Sequence, residues 1–236
     1  MQQKGVQIVK VIAVLLLVLL ASTAYCADIV TVPTANQLKA RQFDIADYYL
    51  GLDNPDPQPQ SLHAQTLYLG ITDQLEVDIH RYDPQADRDK TSIVLNASYL
   101  VHQETATTPN VVIGVRNLAE EKTTLAPVDS KKRSWYISAA KNITPMTASG
   151  PQLPLIRLHA SLGTVDNTLL GEKRHEGLFG GVQALLRPDI GAVAVYDGQD
   201  LITGLTYTPG SKDLTLKGGT FGKHWWIGAS YVKKML

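Results

Sequence analysis

The chain has 236 residues, with 22 Lys plus Arg against 22 Asp plus Glu, 44% hydrophobic residues and one cysteine. That balance supplies no basic field for nucleic acid and no polybasic stretch for anionic lipid. A lone cysteine excludes an intramolecular disulfide, so stability must come from backbone ladders and packing, and the length suits one domain, including a single barrel of many strands.

In chain order, Lys4 and Lys10 precede an apolar run from Val11 to Leu20 and the small residues Ala21, Ser22, Thr23 and Ala24. This is the layout of a secretory leader, and the run is short for a membrane-spanning helix. A cut after Ala24 puts Ser22 at the minus-three position, so residues 1–24 are expected to be a signal peptide, and removing its two lysines leaves 20 cationic against 22 acidic residues. Cys26 lies near the cut, but Thr23-Ala24-Tyr25 lacks the Leu and the small preceding residue of a lipid-attachment signal. Residues 25–42 are read as a lead-in segment and residues 43–236 as the folded domain.

Beyond the lead-in, apolar and polar residues alternate with period two in twelve stretches. They run Phe43 to Leu52, Leu62 to Ile71, Gln74 to Tyr82, Thr91 to Val101, Asn110 to Ala119 and Arg133 to Ile143. Then come Leu155 to Thr164, Gly177 to Arg187, Ile190 to Asp197, Asp200 to Thr208, Asp213 to Gly219 and Trp225 to Val232. The second and eleventh alternate poorly, so ten strands is the lower bound. The clearest is the seventh, where Ile156, Leu158, Ala160 and Leu162 share one face and Arg157, His159 and Ser161 the other. Leu75, Val77 and Ile79 oppose Glu76, Asp78 and His80 in the same manner. Thr72-Asp73, Arg187-Pro188-Asp189 and Asp197-Gly198-Gln199-Asp200 read as tight turns, with Gly198 suited to positive φ. Asp53 to Gln60, rich in proline, and Glu120 to Lys132 read as longer loops.

Alternation fits two architectures. In a soluble exported β-sandwich or calycin-like barrel, binding a small ligand or glycan inside, the apolar face turns inward. In a membrane barrel it turns outward. The leader, the even strand count, strand lengths near the ~9–11 residues of a tilted spanning strand, and Tyr and Trp residues near many strand ends favour the second. The expected fold is therefore all-β, an antiparallel up-and-down transmembrane β-barrel of about 10–12 strands.

Val32-Pro33-Thr34-Ala35, Gly177-Leu178-Phe179-Gly180-Gly181-Val182, and Val195-Tyr196-Asp197-Gly198-Gln199-Asp200 leading to Gly204-Leu205-Thr206-Tyr207 resemble the YjbH-like outer-membrane barrels associated with exopolysaccharide production. The resemblance implies a cell outer-membrane location, a non-enzymatic role near polysaccharide secretion as a structural, pore or accessory component, and no catalytic residues. The partners it implies are outer-membrane lipid and a polysaccharide or export apparatus.

Chemical motifs are sparse. There is no Gly-x-Ser-x-Gly elbow and no His-Glu-x-x-His pair, and the histidines at 63, 80, 102, 159, 175 and 224 have no metal-ligand spacing, so no metal and no cofactor is expected. Gly218-Gly219-Thr220-Phe221-Gly222-Lys223 has the wrong spacing for a phosphate loop and reads as a hairpin turn. A secreted hydrolase using Asp197 and Asp200 is the weakest reading, since both flank a tight turn. In a barrel, Glu76, Asp78, His80, Arg116, Arg157, His159, Gln183 and Arg187 are the polar candidates for the lumen. They would serve there as a paired plug or as a polar track for a sugar polymer or small solute.

Overall fold

A computed structural model describes residues 28–29, 32–52, 61–84, 91–120, 133–144, 146–147, 150–151, 153–165, 174–210 and 213–235. Its strands are β1 (Asp28–Ile29), β2 (Val32–Pro33), β3 (Gln42–Gly51), β4 (Ser61–Gly70), β5 (Leu75–Pro84), β6 (Ser92–His102), β7 (Asn110–Arg116) and β8 (Ser134–Asn142). They continue as β9 (Met146–Thr147), β10 (Gly150–Pro151), β11 (Leu155–Gly163), β12 (Gly177–Arg187), β13 (Ile190–Tyr196), β14 (Leu201–Tyr207), β15 (Leu214–Phe221) and β16 (His224–Lys234). Twelve of them, β3–β8 and β11–β16, form one closed antiparallel barrel. It closes where β16 pairs with β3, from Trp225 opposite Gly51 to Lys234 opposite Gln42. Each barrel strand meets its sequence neighbour in the barrel, which is the up-and-down order expected from the sequence.

All twelve expected strands are present, including the poorly alternating second and eleventh, which are β4 and β15. Among the described residues the fold adds two ladders that alternation did not signal, β1 with β2 and β9 with β10. The Gly222-Lys223 segment is the two-residue turn between β15 and β16, with Gly222 at φ +58. Asp53 to Gln60 and most of Glu120 to Lys132 lie outside the described residues. We call the end bearing Gln42, the Ile71–Gln74 turn and Lys234 the lower end, and the end bearing Gly51 and the Asp197–Asp200 turn the upper end.

The apolar face turns outward. Leu158 is 44% exposed and Leu162 58%, while Arg157, His159 and Ser161 between them are buried. This orientation is the reverse of the one a soluble sandwich requires. Outward aromatic rings gather near both ends: Tyr49, Trp225, Trp135 and Tyr196 toward the upper end, and Phe43, Tyr231, Tyr99 and Tyr207 toward the lower. Amphipathic rings settle at the boundary between headgroups and hydrocarbon, so these positions outline an apolar band between two girdles. Trp225 packs on Tyr49 with centroids 5.5 Å apart and lies over Gly51, where a side chain would collide with its indole. Not every strand aromatic follows that rule: Tyr48, Tyr68, Tyr82 and Trp226 are buried inside.

The interior is not lined by polar residues alone. Fourteen buried residues form one apolar cluster: Ala46, Tyr48 and Leu50 on β3, Leu52 just after it, Leu62 and Ala64, Tyr82, Val94, Phe179, Val195, Ile202, Phe221, Trp226 and Val32. Its members line one contiguous arc of the wall, β12–β16 and β3–β6, and Val32 from the lead-in packs against them. Gly228 and Gly204 leave the wall bare where the rings of Tyr48 and Trp226 rest. Those rings meet edge to face at 6.2 Å.

Candidate functional site in the lumen

The lead-in segment enters the barrel. Val32, Thr34, Ala35 and Leu38 are buried, and the chain descends from the apolar cluster at Val32 to Leu38, which packs with Tyr68 and Val232 near the lower end. It then leaves through a turn at Arg41, whose φ is +63. The Arg41 N–H donates to Gly70 O at 2.9 Å, and the Met235 N–H donates to Arg41 O at 2.6 Å. The lead-in is thus a stopper continuous with β3.

An extended segment carries unpaired backbone and amide groups, and inside a barrel the wall must satisfy them. Here it does. The Leu38 N–H donates to Glu76 Oε2 at 2.8 Å, and Gln37 Nε2 donates to Ser98 Oγ at 2.8 Å. Asn110 Nδ2 donates to Ala35 O at 3.1 Å. Asn36 sits at the centre: its Oδ1 accepts from Arg157 Nε at 2.7 Å and its Nδ2 donates to Gln183 Oε1 at 3.3 Å. The same Gln183 oxygen lies 3.0 Å from His159 Nε2. Arg157 also donates from NH1 to Glu104 Oε2 at 2.5 Å. Strands β5, β6, β7, β11 and β12 therefore hold the segment together, and Ala35 adds an apolar contact with Leu100, Val112 and Ala140.

A second polar group lies on β5–β7. Asp78 accepts from Asn96 Nδ2 at 2.5 Å and stands 2.7 Å from His80 Nε2. His80 Nδ1 is 2.9 Å from the Tyr82 hydroxyl, which also takes an Arg116 N–H at 3.5 Å. Charges removed from water need such partners. A third group caps the upper end. Arg174 is fully buried, reaches both Asp197 and Asp200, and lies 4.4 Å over the Phe221 ring. Asp197 Oδ1 also accepts the N–H groups of Gln199 and Asp200, at 2.9 and 2.7 Å.

Of the residues proposed for the lumen from sequence, Glu76, Asp78, His80, Arg116, Arg157, His159 and Gln183 are buried on the enclosed face. Arg157, His159 and Gln183 converge on the stopper, joined by Glu76, whereas Asp78, His80 and Arg116 form the separate group. Arg187 is placed differently. Its side chain is 67% exposed at the lower rim and pairs with Asp189 at 3.3 Å. The β12–β13 ladder shifts register between Leu185 and Arg187, just before the turn, and carries the guanidinium out of the enclosure. Sequence reading missed Asn36, Gln37, Glu104 and Arg174. Among the described residues no cluster of His, Cys, Asp or Glu is arranged to hold a metal ion. Asp197 and Asp200, considered for hydrolysis, are both occupied by Arg174.

No family model matches this chain, and no curated protein matches it. Solved structures do. The KdgM porin is 13% identical, with a TM-score of 0.51 over 80% of this chain and 98% of that one. The KdgM porin in complex with disordered oligogalacturonate gives 11% identity and a TM-score of 0.47, with 80% and 98% of the two chains covered. The N-terminal β-barrel domain of Pseudomonas aeruginosa OprF gives 9% and 0.25, with 83% and 100% covered. The first of these shares the fold class, a closed antiparallel β-barrel.

Proposed function

We propose that the chain works in the bacterial outer membrane as a non-enzymatic, porin-like barrel whose lumen is closed by its own lead-in segment. In this reading it is an accessory component of exopolysaccharide secretion rather than a standing diffusion pore. The observation that carries the reading is the stopper: residues from Thr34 to Leu38 occupy the lumen and are bonded to Glu76, Ser98, Asn110, Arg157 and Gln183. A wall that satisfies an extended polar backbone offers the same donors and acceptors to an extended polar polymer. The outward apolar band and both girdles support the membrane setting, and the YjbH-like segments support the link to polysaccharide.

Three measurements test it. In planar bilayers the full chain should show little steady conductance, and a variant lacking residues 28–38 should conduct; a steadily open full-length barrel would overturn the closed-lumen reading. In cells, loss of the chain should lower exported polysaccharide, and unchanged export would overturn the secretion role. Unboiled protein in detergent should also migrate differently from boiled protein, as a closed barrel does.

A further inference from the structure

Along most of the circumference the outward residues between the girdles are Ile, Leu, Val, Ala, Gly or Thr. The outward lysines Lys141 and Lys233 each stand one residue from the lower end of their strand. One arc departs from this pattern. On β3, β4 and β5, Asp47, Gln65 and Arg81 stand side by side in register, and the next row toward the upper end holds Tyr49, His63 and Asp83.

These side chains are tied to one another on the outer wall. His63 Nε2 is 2.6 Å from Asp47 Oδ1, and Gln65 Nε2 donates to Asp47 Oδ2 at 3.2 Å. Arg81 donates to Gln65 Oε1 at 3.3 Å and to Asp83 Oδ2 at 2.6 Å. Even so, the Asp47 side chain is 53% exposed and that of Arg81 48%. Asp47 lies between Ile45 and Tyr49 on its strand, inside the band where the rest of the wall meets hydrocarbon. A charged side chain on a lipid face is destabilising, most of all near the midplane. Hydrocarbon is therefore the wrong neighbour for this arc.

We propose that the arc is the interface of a symmetric dimer, in which a second copy of this chain covers Asp47, Gln65 and Arg81. The inference rests on the membrane reading above. Two copies inserted in the same direction are related by a two-fold axis along the membrane normal. Such an axis reverses strand order across the contact, so β3 of each copy faces β5 of the other. A row that reads acid, amide, base then meets base, amide, acid: each Asp47 faces an Arg81, and the two Gln65 side chains meet on the axis. With strands inclined about 40° and spaced about 4.8 Å, the row climbs about 6 Å from β3 to β5. An arginine side chain spans that offset. A surface of one charge sign would not answer a row of mixed sign, and lipid phosphates would meet two carboxylates for one guanidinium.

The test is disulfide trapping in native membranes with Gln65→Cys in a Cys26→Ser background. Oxidation should give a covalent dimer, whereas Val182→Cys on the opposite wall should not. Asp47→Arg or Arg81→Asp alone sets like charges against each other and should abolish the dimer band, while the double swap should restore it. Heat-modified mobility of every variant reports separately whether the barrel has folded, so failure of the dimer is distinct from failure of the membrane reading. The proposal is overturned if the Gln65→Cys protein links no better than the Val182→Cys protein, if it links to another polypeptide instead, or if a folded double swap stays monomeric.

Discussion

At the scale of single residues, Glu104 decides how firmly the stopper is held. It sits in the lower-end connection between β6 and β7, where its carboxylate accepts from Arg157 at 2.5 Å and from the Asn142 N–H at 2.8 Å, with Lys141 Nζ 3.5 Å away. Burial pushes its pKa up, but the hydrogen bonds from Arg157 and Asn142 and the charges of Arg157 and Lys141 outweigh burial and hold it below the ordinary 4.5. A carboxylate with a depressed pKa contributes stability that is fully present above its unfolded pKa and is lost as pH falls through the lower folded value. Glu104→Gln should therefore cost about 1.5–3 kcal/mol at pH 7, in the range of hydrogen bonds to charged groups. It should also flatten the loss of stability below about pH 4.5 relative to the unsubstituted chain. Urea unfolding in micelles at neutral and acid pH, followed by tryptophan fluorescence, measures both. Parallel acid limbs for the two proteins would remove Glu104 from the account.

At the scale of elements, alternation was legible where both environments of a strand are uniform. On β11 every outward residue is apolar and Arg157, His159 and Ser161 face in, so period two stands out. On β4 the pattern blurs for a physical reason: its inner face carries Leu62 and Ala64 into the apolar cluster, while its outer face carries His63 and Gln65 on the polar arc. The β15 signal is diluted by Gly218 and Gly219, which offer no side chain to either face. The stopper was not legible at all, because Thr34-Ala35-Asn36-Gln37 lacks periodicity and its bonds go to residues as distant in sequence as Gln183. The polar candidates were legible as one face of each strand, but which of them converge depends on barrel closure, and alternation carries no register between distant strands. The same contrast between arcs gives a prediction. Leu158→Arg places a guanidinium mid-strand on the lipid-facing wall of β11, with no acid beside it, and should destabilise the barrel by about 2–4 kcal/mol. Arg81→Leu, on the polar arc, should cost less. Refolding yields in lipid vesicles, read as the heat-modifiable fraction, would rank the two, and equal losses would argue that both walls meet the same surroundings.

At the scale of the whole molecule, the stopper is joined through Arg157 to the lower-end connection that carries Glu104. Arg157 is shared between Glu104 and Asn36, so protonating Glu104 withdraws one of the two groups that position the guanidinium holding the segment. Acid on the lower side should then loosen the segment from its lower end, while Val32 stays buried in the apolar cluster. Bilayer recordings should show openings that become more frequent as the lower-side pH drops below about 4.5, where the lost carboxylate charge no longer supports the network. A covalent lock separates this route from general acid damage. Ala35 and Val112 belong to one buried cluster, so Ala35→Cys with Val112→Cys, in a Cys26→Ser background, should fasten the segment to β7 when oxidised. The oxidised protein should stay closed across the acid range, and reductant should restore the openings. Openings that persist under oxidation would place the conducting path elsewhere than the track now filled by Thr34 to Leu38.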